Sequence, residues 1–210
     1  MDLLSLGKEP VSADQPAGSD VRYEPEFEEL QAEIDKLSNP SATDGTDWNK
    51  VTQLASEILA TKAKDLLVAS YLAVAQIHTN QVEGFAVGLA VYRDLLEQFW
   101  DGLFPAKKRM RGRVAAIEWW LEKCEAAQQM IKLDTLPAEK VEGYRKDLQQ
   151  IDNLLQEYLD EAPLLRPIER FIDNIPIAAE EKPAPEAPPP SEEKPKATPP
   201  PPREPETPKP

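Results

Sequence analysis

Thirteen of the chain's 22 prolines fall in its last 30 residues, Glu181 to Pro210, where no aromatic or large aliphatic residue accompanies them. Such a stretch cannot bury enough apolar surface to offset the entropy of ordering it, so a disordered, extended tail is predicted over 179–210. At about 3.1 Å per residue in a polyproline conformation, 30 residues reach up to roughly 90 Å. From Ala179 on there are seven acids and five bases, and a stiff, nearly neutral segment of this kind reads as a spacer or linker. Its PxxP content also suits polyproline-reading grooves, which leaves an alternative reading: a helical adaptor whose tail recruits partners. The first 178 residues remain for folding, enough for one domain.

Within 10–178 the pattern is that of an all-α protein, a compact antiparallel array of about six to seven helices. Strand signals are missing and glycine is scarce, eight in 210. A first helix is predicted over 25–37, with Pro25 in its first turn and Phe27, Leu30, Ile34 and Leu37 on one face. Asp47 or Thr46 caps a second helix carrying Val51, Leu54, Ala55, Ile58 and Leu59. A third, over 65–78, is apolar on nearly every side, as a helix buried among neighbours should be. Helices over 82–100, 111–132, 137–160 and a short one over 167–174 follow. Residues 1–9 read as a flexible N-terminus.

Charge and composition exclude several functions. The formal net charge is −14, and the body alone, with 31 acids against 19 bases, carries −12. Nucleic-acid binding needs clustered cations to neutralise phosphates and is not expected. One His and one Cys leave no ligand set for zinc, haem or an iron–sulfur cluster, and no cofactor is expected. The segment Asp44-Gly45-Thr46-Asp47 lacks the alternating ligands of a calcium loop and reads as a turn with a helix cap. No nucleophile elbow, phosphate cradle or metal helix motif occurs, so no catalytic residue is assigned. His78 reads as a capping or core histidine, and Cys124 as inert core. The least charged stretch, 66–82, is too polar to span a membrane, and the opening residues lack a basic signal region. The expected location is cytoplasmic.

Two segments stand out from a solvated helical surface. Residues 107–113, KKRMRGR, place Lys107, Lys108, Arg109, Arg111 and Arg113 together on an acidic chain. They read either as a solvated turn or as a docking patch for an acidic partner, and cations before a helix oppose its dipole. The lead 10–30 reads either as an arm with Tyr23 and Phe27 in the core or as a contact site using Arg22 and Tyr23. Of the four tryptophans, Trp120 falls on the apolar face of its helix, which leaves Trp119 as the candidate for an interface.

That lead, from Pro10 through Asp14, Pro16, Gly18, Asp20, Arg22 and Tyr23 to Phe27, resembles the opening signature of the ImpA N-terminal family of type VI secretion systems, found in TssA-type subunits. The resemblance continues at Asp47-Trp48, Lys64-Asp65-Leu66, Glu83-Gly84-Phe85, Gly88-Leu89, Phe99-Trp100-Asp101 with Pro105, and Ala116-Ile117-Glu118-Trp119. It implies a non-enzymatic scaffold component of a contractile secretion machine, docking baseplate, sheath, tube or membrane-complex subunits without entering the membrane. Family members carry further C-terminal domains that form rings, so oligomerisation is expected through such domains and not through this segment.

Overall fold

The computed structural model describes residues 2–39 and 44–178. The tail predicted over 179–210 lies outside the described residues, as do 40–43 of the loop after the first helix. Contacts divide the chain after Ala178, and the first part is described below.

Among the described residues six α-helices are formed: α1 Pro25–Asp35, α2 Trp48–Thr61, α3 Leu66–Phe99, α4 Met110–Gln128, α5 Ala138–Tyr158 and α6 Arg166–Asp173. Three short 3-10 turns cover Leu3–Ser5, Lys36–Ser38 and Lys107–Arg109. Among the described residues β structure is limited to isolated bridges, so the all-α reading holds. Local chemistry explains the starts. Pro25 sits in the first turn of α1, where a missing N–H is tolerated. Asp47 accepts hydrogen bonds from the N–H groups of Asn49 and Lys50, and Asp65 from those of Leu67 and Val68, so each caps a helix.

The longest helix is two in one. At Gln81 the backbone adopts φ 54° and ψ −129°. A Cβ on Gly84 would stand 1.9 Å from the Gln76 carbonyl oxygen, and one on Gly88 would stand 2.8 Å from the Ala73 Cα. A straight helix rising about 1.5 Å per residue cannot bring such pairs together. Segments 66–80 and 82–99 therefore fold back as an antiparallel hairpin whose glycines let the two backbones touch. The sequence splits these helices at Val82; the structure narrows the break to one residue. A non-glycine residue in this region of φ and ψ costs on the order of 1–3 kcal/mol.

The hairpin is the centre of the body. It packs against α2, α4 and α5, while α1 covers α2 and α6 closes on α4 and α5. Tyr92 stacks on Trp120 with centroids 4.0 Å apart, and Phe85 meets Phe171 edge-on at 4.8 Å. Fully buried side chains such as Leu72, Leu89, Ile117 and Ile151 each contribute about 1.5–3 kcal/mol of hydrophobic stabilisation.

Residues 2–9, read from the sequence as part of a flexible N-terminus, make contacts with the body. Asp2 caps the Leu3–Ser5 turn, Leu6 is 2% exposed, and Lys8 pairs with Asp94 at 3.6 Å. The cause is Lys64, a buried lysine whose ammonium donates to the carbonyl oxygens of Leu6 (2.8 Å) and Leu59 (2.7 Å). No local pattern near residue 6 shows a donor that is 58 positions away.

Candidate interaction surface

The α2–α3 connection gathers the two segments singled out by sequence. On one side Ser19 N–H donates to the Lys62 carbonyl and Lys64 N–H to that of Ala17. On the other, Phe104 N–H donates to the Lys64 carbonyl and Leu66 N–H to that of Phe104. Residues 62–66 are thus clasped between the arm and the segment leading to the basic turn. Gly18, at φ 73°, makes the close approach possible: a Cβ there would stand 1.9 Å from the Lys62 carbonyl oxygen. A further link is ionic. The Asp20 carboxylate accepts from the Arg22 N–H at 3.2 Å and lies 3.9 Å from the Arg109 guanidinium.

The basic segment divides by burial. Arg113 is 0% exposed and belongs to the interior, which corrects its assignment to a docking patch. Its guanidinium donates to the carbonyl oxygens of Pro105, Trp100 and Leu103, each at 2.7 Å, and lies over the Trp100 ring at 4.5 Å. Burial holds its pKa below the ordinary arginine value, partly offset by Asp101. Lys107 is exposed and tied to Asp101 at 2.7 Å. Lys108 and Arg111 are exposed and have no ionic partner among the described residues. The unpaired outward charge of this segment therefore rests on Lys108 and Arg111, with Arg109 in a longer 3.9 Å pair with Asp20.

Of the two readings of the arm, Tyr23 at 92% exposure departs from the one that puts it in the core with Phe27; Phe27 is buried. The ring stands on an arm fixed at Gly18 and Asp20. Arg22 is half-buried over the Phe27 ring at 5.8 Å, and its Nε is buried without a hydrogen-bond partner. Its charge acts on Asp65, whose carboxyl is pushed up to about 6, chiefly by burial. Trp119 is half-buried, edge-on to Tyr71 at 4.7 Å, so it presents a partial face to solvent. Arg22, Tyr23, Lys108, Arg109, Arg111 and Trp119 remain as surface candidates; Arg113 supports them from inside.

One pair has no counterpart in the sequence analysis. Trp100 stacks on Tyr158 with centroids 4.6 Å apart, beside Pro16, Asp101 and Lys107 at the foot of the basic turn. Trp100 closes the end of α3 and Tyr158 that of α5, and periodicity gives no signal for a contact between helices. Elsewhere the chemistry is that of packing. His78 stacks on Trp48 at 4.0 Å, with its pKa lowered by burial, and burial pushes the Cys124 thiol up. Among the described residues no group of three or more His, Cys, Asp or Glu could hold a metal ion, and no helix is long and apolar enough to cross a membrane.

The chain has relatives. A family model described as ImpA, N-terminal, type VI secretion system matches residues 8–122. Type VI secretion system component TssA1 of Pseudomonas aeruginosa is 35% identical over 101 residues, covering 45% of this chain and 29% of that protein. The chain thus spans less than a third of that relative's length. The solved N-terminal domain of the TssA component from Burkholderia cenocepacia, which includes the conserved ImpA_N region, superimposes with a TM-score of 0.68. At 18% identity, over 83% of this chain and 91% of that one, the likeness is one of fold. With more than half of its residues inside the family model, the chain belongs to the ImpA N-terminal family of the type VI secretion system.

Proposed function

We propose that the helical body is a non-enzymatic docking domain of a TssA-type type VI secretion component, working in the cytoplasm. It holds baseplate, sheath, tube or membrane-complex subunits through its outer surface. The observation that carries this reading is that Tyr23 stands open on the arm whose Asp20 lies 3.9 Å from Arg109 of the basic turn, on a body that otherwise carries excess negative charge. An exposed aromatic ring on an arm clasped to a solid core and linked to a basic turn has the composition of a protein-binding hot spot. The Pro-rich segment then acts as a tether. It raises the effective concentration of whatever the body holds near whatever lies at its other end.

Pull-downs with the purified chain as bait, against each class of secretion subunit in turn, test the proposal. Capture of at least one subunit, lost on Tyr23→Ala combined with Lys108→Glu and Arg111→Glu, is the expected result. Capture of none, or capture indifferent to these substitutions, would remove this corner as the docking site.

A further inference from the structure

We infer that the body can exchange halves with a second copy of this chain, pivoting on Gln81. In the swapped form α3 of each copy runs straight from 66 to 99, and segment 2–80 of one copy packs on segment 82–178 of the other.

Three observations lead there. First, Gln81 alone breaks α3, and it is the one non-glycine residue at positive φ among the described residues. Residues on both sides are already helical, so straightening changes the backbone of a single residue from a strained conformation to a relaxed one. Second, the contacts between the halves are of a kind that a second copy can supply unchanged. Gly84 against Gln76, Gly88 against Ala73, Tyr71 against Trp119, and the Ser70 hydroxyl on the Ala116 carbonyl at 3.1 Å all join the first half to the second. Third, the connection is too short to relax otherwise. With one hinge residue and backbones already touching at Gly84, the turn has no slack in which Gln81 could find another conformation. Strain confined to a short hinge between two complementary halves is the condition under which exchange relieves the hinge and loses no contact. This inference is independent of the docking corner, which is built from residues on both sides of the hinge in either form.

The test uses the full chain, unfolded in denaturant and refolded at high protein concentration so that halves can re-pair. Size-exclusion chromatography with light scattering should show a dimer beside the monomer. Gln81→Gly removes the strain from the hinges of the two monomers that make each dimer and should weaken dimerisation by about a hundredfold, while Gln81→Ala, which favours the straight helix, should not weaken it. A distance measurement separates exchange from ordinary association. Spin labels at Thr61→Cys and Asp101→Cys, in a Cys124→Ala background and diluted with unlabelled chain, are close together in the hairpin form. In the swapped dimer the two labels of one chain should lie about 50 Å apart, the length of a straight helix over 66–99. A short intrachain distance in the dimer, a dimer indifferent to Gln81→Gly, or monomer alone in the parent chain and in Gln81→Ala would each overturn the inference.

Discussion

Arg113 and Asp65 show how single buried charges shape this domain. Arg113 is buried without a carboxylate in contact, and its guanidinium donors are spent on three carbonyl oxygens beside the face of Trp100. It closes the turn that carries Lys107–Arg109. Arg113→Met would leave those three carbonyls without their donor in the interior, and a loss of about 3 kcal/mol or more in denaturant unfolding is expected. Lys107→Ala, which removes an exposed pair, should change stability by no more than about 0.5 kcal/mol. Asp65 gives the domain a pH signature. Its carboxyl is 0% exposed, and burial pushes its pKa up to about 6 from 3.8, although it caps α3. A carboxyl that binds its proton more tightly when folded stabilises the fold in its protonated form. Its contribution is present below about pH 4 and is lost as pH rises through about 6. A rise of that size is worth about 3 kcal/mol. Asp65→Asn keeps an acceptor for the cap and should flatten the pH dependence of stability between about 4 and 6, measured by urea unfolding at a series of pH values.

Among the elements, the helices themselves are legible in the sequence and their partners are not. Phe27, Leu30 and Ile34, or Val51, Leu54 and Ile58, recur at helical spacing, and caps such as Asp47 stand where an orphan N–H needs an acceptor, so both signals are local. The clasp at 62–66, the Lys64 hold on Leu6 and the Trp100–Tyr158 stack are long-range, and nothing in the spacing of residues encodes them. Arg113 misleads for a related reason. Five cations in seven residues look like one patch, yet a helix turns about 100° per residue, and Arg113 faces inward while Arg111 does not. For Tyr23 the sequence leaves core and surface both open, and the ring stands outside on an arm whose course the clasp at Gly18 fixes. The hairpin within α3 supplies the test at this scale. Gly84→Ala places a Cβ 1.9 Å from a backbone oxygen, which cannot be relieved by a side-chain rotation. A loss of about 2 kcal/mol or more is expected, within the usual range for overpacking in a rigid interior. Gln81→Gly should stabilise the monomer by about 1 kcal/mol or more through relief of the hinge. Thermal unfolding of both variants at low concentration reads the two effects with opposite sign.

For the whole molecule, charge decides where a partner can approach. The body's 31 acids against 19 bases make most of its surface repel an acidic partner. The outward cations Lys108, Arg109 and Arg111, linked through the Arg109–Asp20 pair to the arm that bears the open Tyr23 ring, then create a local reversal of sign, while Arg113 holds the turn from below. Electrostatic attraction from such a patch acts mainly on the rate of encounter, and salt weakens it over a Debye length of about 10 Å at 0.1 M. The ring acts at shorter range, through burial on contact, which governs how long the complex lasts. These two contributions separate experimentally. Reversing Lys108, Arg109 and Arg111 to Glu should slow association with a captured secretion subunit by about tenfold or more at low salt and abolish the slowing that salt causes in the parent chain, an expectation on the scale of steered encounters. Tyr23→Ala should leave association and its salt dependence nearly unchanged and speed dissociation by about tenfold, as loss of a contact worth about 1–2 kcal/mol would. Surface-based binding kinetics across a salt series distinguish them, with circular dichroism confirming an intact helical fold. Equal effects of both variants on one rate constant would mean that the corner does not divide encounter from retention in this way.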